Sequence, residues 1–113
     1  MKGTVIEQLG AQPKVVDSLE RPKPRSDQLL VRSLYLAISP VDGFMANTGL
    51  LVTEWPLVIG VDASGVVFEC GEEASPKHGF NVGDYVCGCT RLGMKEHAAG
   101  QEYVKTRLIG TIC

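Results

Sequence analysis

The sequence predicts a mainly β fold, a partly open antiparallel barrel with one or two short helices, and three observations carry that reading. Alternation of apolar and polar residues dominates while helical periodicity is scarce; turn-forming residues punctuate the chain at short intervals; and one segment carries both start and stop signals for a helix. About seven short strands separated by such turns fit a barrel of this kind. No internal repeat or low-complexity tract interrupts the pattern, so residues 1–113 read as a single domain. A chain of this length with 44% hydrophobic residues can bury a core without help from metal or disulfides.

Each element has its own local reason. GTVIEQ and PKVVDSLE read as an opening hairpin, with LGAQ supplying the turn. In ERPKPRSDQ two prolines cannot donate to a ladder and the charges favour water, which makes the segment a surface loop. LLVRSLYLAIS is long enough for a strand of about ten residues. It places Leu30, Arg32, Leu34 and Leu36 on one face and Leu29, Val31, Ser33, Tyr35 and Ala37 on the other; both faces are largely apolar, so the strand belongs in the middle of a sheet. In SPVD, Ser39 suits an N-cap, Pro40 the first helical position and Asp42 the third, from which a carboxylate reaches back to the cap. VDGFMANTG then allows about two turns, ending near Gly49. LVIGVDASGVVFECG reads as strand broken at Gly60 and Gly65, where glycine marks a bulge or the close approach of another backbone. EEASPKHGFNVGD is a polar connection, DYVCGCT a strand and RLGMKEHAAG a loop. QEYVKTRLIG closes as a strand with Tyr103, Lys105 and Arg107 on one face and Val104, Thr106 and Leu108 on the other.

Composition excludes several function classes. A net charge of −2 from 11 basic and 13 acidic residues leaves no basic stripe for nucleic acid or anionic membrane. The N-terminus lacks the apolar core of a secretion signal and no run approaches the ~18 residues of a membrane span, so a cytoplasmic location is expected. Cys70, Cys87, Cys89 and Cys113 read as small buried apolar side chains, since a reducing compartment argues against disulfides and the Cys87/Cys89 spacing is too tight for a structural zinc knuckle, with the terminal Cys113 also open to a reading as a free, exposed thiol. Neither G-x-G-x-x-G nor a P-loop nor G-x-S-x-G occurs, so the domain has no recognisable cradle for a dinucleotide and no nucleophile elbow. His78 and His97 are expected as solvated loop residues. Asp62, set among valines, should find donors or carry a raised pKa, and bonding to backbone amides is favoured over catalysis. Glu102 and Tyr103 point to opposite faces of one strand, and no residue is assigned as catalytic.

Taken in order, SPVD, PLVIGVDASGVV, FNVGDYV and GQEYV resemble the N-terminal catalytic domain of the medium-chain dehydrogenase/reductase superfamily, the part folded like the GroES co-chaperonin. GQEYV in particular is similar to the zinc-independent quinone reductases and the fungal trans-acting enoyl reductases of polyketide synthesis. The resemblance implies a GroES-like barrel and NADPH as cofactor. In zinc alcohol dehydrogenases a cysteine ligand would stand at Ser39 and a histidine followed by an acid at Val61 and Asp62, so the resemblance implies a branch without zinc. It places Ser39, Pro40 and Asp42 on the cleft wall near the nicotinamide, and Phe44, Met45 and Trp55 toward substrate.

Family enzymes continue into a Rossmann domain, whereas this sequence stops at IGTIC. Three expectations follow from that reading. The chain is a truncated reductase that uses NADPH only when a cofactor domain is supplied in trans, with a small molecule or thioester as substrate. Alternatively it is a cofactor-free binding domain, or a cyclase or isomerase, for a small apolar metabolite held against Phe44, Met45, Leu50, Leu51 and Trp55. A third reading is a non-catalytic interaction module, and either a homodimer or a partner Rossmann domain is expected on the surface left exposed.

Overall fold

The computed structural model describes residues 1–74, 79–91, 93–107 and 111–112. The elements run β1 Gly3–Ile6, β2 Lys14–Val16, β3 Gln28–Ala37, α1 Pro40–Thr48, β4 Leu57–Val58, β5 Asp62–Cys70, β6 Tyr85–Cys89, a 3-10 turn Lys95–His97, β7 Tyr103–Arg107 and β8 Thr111–Ile112. All pairings are antiparallel. They form a three-stranded sheet in the order β2-β1-β4 and a five-stranded sheet in the order β7-β3-β5-β6-β8, which do not close on each other. This is the mainly β, partly open barrel anticipated from the alternation, and it has the GroES-like form that the resemblance implies. His78 and Cys113 lie outside the described residues. No helix among the described residues is long and apolar enough to cross a membrane.

β3 is central, flanked by β7 and β5. Only its first half is apolar on both sides in fact: Leu29, Leu30 and Val31 are buried, whereas Leu34 and Tyr35 are exposed. The change coincides with a break in the β3–β5 register between Ser33 and Tyr35, opposite Gly65. A Cβ at Gly65 would lie 2.0 Å from the Arg32 carbonyl oxygen, so glycine is there because the neighbouring backbone leaves no room for a side chain.

The core comprises three apolar clusters. Leu29, Val31, Val67, Phe80 and Val86 fill the five-stranded sheet. Val5, Leu19, Val58 and Ala98 join the opening hairpin to the segment after the 3-10 turn. Ile6, Met45, Leu57 and Val61 seat α1 against β1 and β4. At the rim, the Arg21 guanidinium lies 4.4 Å from the ring centres of both Phe68 and Tyr103, whose rings meet edge to face, and this fastens the proline-rich loop to the sheet.

Candidate functional site

The site is built on α1. Ser39 caps it with extended backbone, Pro40 begins it, and Gly49, at φ 73°, ends it by donating its N–H to the Met45 carbonyl. Asp42 does more than complete the cap. Its carboxylate is buried; one oxygen accepts the Ser39 N–H at 2.9 Å and the Ser39 hydroxyl at 3.3 Å, and the other accepts the Gly60 N–H at 3.1 Å. The helix start is thereby tied to the turn between β4 and β5. Gly60 sits at φ 100° with its Cα hydrogen facing Leu36 Cδ1, which a Cβ would approach to 2.5 Å. Only glycine fits both that backbone angle and that gap.

Beyond Asp42, α1 divides into two faces. Met45 is buried among Ile6, Leu57 and Val61, while Phe44 is 59% exposed. Ile38, Leu50, Leu51 and Trp55 are also exposed, so the helix and the loop after it present an apolar surface. Phe44 and Trp55 are thus open to solvent, whereas Met45, expected to face substrate, lies in the core beneath. The loop is held to the segment before the 3-10 turn: the Thr53 N–H and hydroxyl both donate to the Gly93 carbonyl, and the Lys95 N–H donates to Glu54 Oε1.

Asp62 opens β5 and faces Cys89 across the ladder. It is half-buried and lines an open groove of about 270 Å³ with Tyr35, Leu36, Ser64 and Gly88. The carboxylate bonded to backbone amides in this region is therefore Asp42 rather than Asp62. Cys89, read from the sequence as buried, is exposed at the end of β6; desolvation first, and the Asp62 carboxylate second, still push its thiol up from its ordinary range, so it stays protonated at neutral pH.

A zinc ion does not fit here. The Ser39 hydroxyl is engaged with Asp42, and Val61 is an apolar core side chain. Among the described residues no group of three or more His, Cys, Asp or Glu side chains could hold a metal ion.

One further residue falls differently from the sequence reading. His97, expected in solvent, is only 3% exposed, because the 3-10 turn folds it inward and Ala98 and Ala99 behind it are buried too. Its Nδ1 has no hydrogen-bond partner among the described residues. Burial, and then the positive charges of Lys105 and Arg91, hold its pKa below the ordinary value. Lys105, placed by alternation on a face with Tyr103, is buried and pairs with Glu96 of the same 3-10 turn. The small-residue run Ala98-Ala99-Gly100 was the available signal that this turn packs closely.

The comparisons with known proteins agree with this architecture. The model of the alcohol dehydrogenase GroES-like domain matches residues 25–111. Dehydrogenase pigH of Monascus ruber is 32% identical over 90 residues, covering 73% of this chain and 24% of that protein. Trans-enoyl reductase phmE of Phaeosphaeria nodorum is 40% identical over 70 residues, covering 59% of this chain and 18% of that protein. The chain thus spans less than a quarter of the length of these relatives. The quinone oxidoreductase of Coxiella burnetii superposes with a TM-score of 0.79 at 28% identity, over 96% of this chain and 35% of that one. Escherichia coli quinone oxidoreductase, solved with NADPH, has a TM-score of 0.80 at 17% identity, over 99% of this chain and 33% of that one, and shows the fold alone. With the domain model matching most of its length, the chain belongs to the alcohol dehydrogenase GroES-like domain family, the N-terminal domain of the medium-chain dehydrogenases and reductases.

Proposed function

We propose that this chain supplies the substrate-facing side of a cytoplasmic, zinc-independent, NADPH-dependent enoyl reductase of polyketide assembly, and that it turns over when a nicotinamide-binding domain closes the other side of the cleft. The observation that carries the reading is the apolar surface of Ile38, Phe44, Leu50, Leu51 and Trp55, on a helix whose N-terminus is fixed by the buried Asp42 carboxylate. Relatives named as trans-enoyl reductases support the substrate class.

Bound NADPH would supply the hydride. The residues of this chain orient and shield. Phe44 and Trp55 would cover the acyl portion of the substrate and keep water from it, while Ser39, Pro40 and Asp42 fix the backbone beside the nicotinamide. Met45 supports this wall from beneath. Hydride transfer needs donor and acceptor carbons within about 3–3.5 Å, so the fixed position of this wall matters here; the hydride would add to the β carbon of the enoyl thioester and the α carbon would then take its proton from solvent. These residues contain no glycine-rich phosphate cradle, which supports leaving the cofactor's phosphates to a nicotinamide-binding domain supplied in trans.

The test mixes the chain with NADPH and an enoyl thioester, with and without the nicotinamide-binding domain of a trans-enoyl reductase, and follows nicotinamide absorbance. Oxidation is expected only in the complete mixture. Absence of oxidation in every combination would overturn the proposal, as would conversion of the thioester without NADPH.

A further inference from the structure

A second cleft, of about 330 Å³, opens between the first hairpin and the 3-10 turn and shares no lining residue with the exposed face of α1. Val5, Val16, Leu19 and Pro56 form its apolar floor. Charged groups from separate segments stand around that floor. Glu7 is engaged with Lys14 at 2.5 Å and Glu96 with Lys105. Glu20 and Lys95 carry opposite charges, line the same cavity, and have no ion-pair partner among the described residues. Lys95 is held on a fixed backbone: its carbonyl accepts Gln101 Nε2 at 2.7 Å, and its N–H donates to Glu54 Oε1 at 3.2 Å. Gln101 Nε2 also donates to the Ala98 carbonyl at 2.9 Å, which pins the turn as a whole.

We infer that this cleft binds a small zwitterion with an apolar body, of the chemistry of an apolar α-amino acid. Its ammonium meets Glu20, its carboxylate meets Lys95, and its side chain lies on Val5, Val16, Leu19 and Pro56. A ligand with one charge would leave the other protein group unmatched, and a wholly apolar ligand would match neither. The volume stands at the small end of ligand pockets, which suits one amino acid rather than a nucleotide or a long thioester.

The experiment is an NMR titration of the ¹⁵N-labelled chain with L-leucine to about 10 mM, covering the millimolar affinity expected of a partly open site. Saturable shifts are expected at the amides of Val5, Val16, Leu19, Lys95 and Gln101. L-leucinamide and 4-methylvalerate, each lacking one charge, should bind up to about fivefold more weakly, the most that one partly exposed ion pair contributes. Lys95→Glu should weaken leucine similarly, and the exchange Glu20→Lys with Lys95→Glu should restore it; spectra of the free variants report that they are folded. Absence of saturable shifts in the parent chain overturns the proposal, as does equal binding of leucine and leucinamide or unchanged binding by Lys95→Glu. Because the α1 wall contributes nothing to this cleft, failure here leaves the reductase proposal standing, and the reverse holds too.

Discussion

Replacing Asp42 by alanine removes three hydrogen bonds at one point of the fold: those from the Ser39 N–H, the Ser39 hydroxyl and the Gly60 N–H. The Ser39 hydroxyl and its part-buried amide can be met by water; the buried Gly60 amide cannot. The buried Gly60 donor left unmade costs about 1–3 kcal/mol, and the lost cap, which includes the Ser39 amide, about 1 kcal/mol. The sum, roughly 2–4 kcal/mol, is a large fraction of the ~5–15 kcal/mol that holds a domain together. In urea the unfolding midpoint should fall by roughly 1–3 M. Asp42→Asn keeps one carbonyl oxygen for Gly60 but sets an N–H₂ against the Ser39 N–H, so about half of the loss is expected. Trp55, the single tryptophan, reports the transition by fluorescence from within the wall itself, and far-ultraviolet circular dichroism checks that the two probes coincide. A midpoint for Asp42→Ala within about 0.3 M of the parent would refute the reasoning, because the carboxylate would then contribute nothing to the junction of helix and turn.

Other positions offer tests of different kinds. Gly65→Ala drives a methyl group to 2.0 Å from the Arg32 carbonyl oxygen, so a loss of about 3 kcal/mol or more, or failure to fold, is expected in the same urea assay. His97 is held neutral by burial, so the unfolded chain takes up its proton first as pH falls. The contribution of His97 should therefore be complete above the ordinary value of 6.5 and be lost progressively as pH drops from there toward the lower folded pKa; His97→Gln should flatten that slope in midpoints measured across pH. Glu96→Gln leaves the Lys105 ammonium buried without its counter-charge, at a cost of about 1–3 kcal/mol, whereas Lys105→Met replaces charge by apolar volume and should cost less. The reverse order in urea would show that the pair is not desolvated.

What was legible in the sequence was what local chemistry decides. Ser39, Pro40, Asp42 and Gly49 announce α1 because capping, a fixed proline φ and a left-handed glycine act within one or two turns. Gly60 and Gly65 likewise announced close backbone approach, though not which strand would approach. The second acceptor role of Asp42 depends on Gly60, eighteen residues away, and no local pattern signals it. Phe44 and Met45 were read together as facing substrate, yet adjacent helical residues point about 100° apart, and once Met45 meets Ile6, Leu57 and Val61 only Phe44 can face out. His97 was misjudged for a related reason. A three-residue 3-10 turn has no periodicity to reveal its inner face, and the Glu96 partner that permits Lys105 to be buried becomes visible only in three dimensions.

The central claim is that the Phe44–Trp55 face is one wall of a hydride-transfer cleft completed by a nicotinamide-binding domain. The most direct measurement is isotope transfer: C4-deuterated NADPH and an enoyl thioester are incubated with the chain, with a nicotinamide-binding domain, and with both, and the saturated product is analysed by mass spectrometry. Deuterium on the product carbon is expected only when both are present, and less of it with Phe44→Asp. Product without deuterium, or deuterated product formed by the chain alone, would contradict the claim.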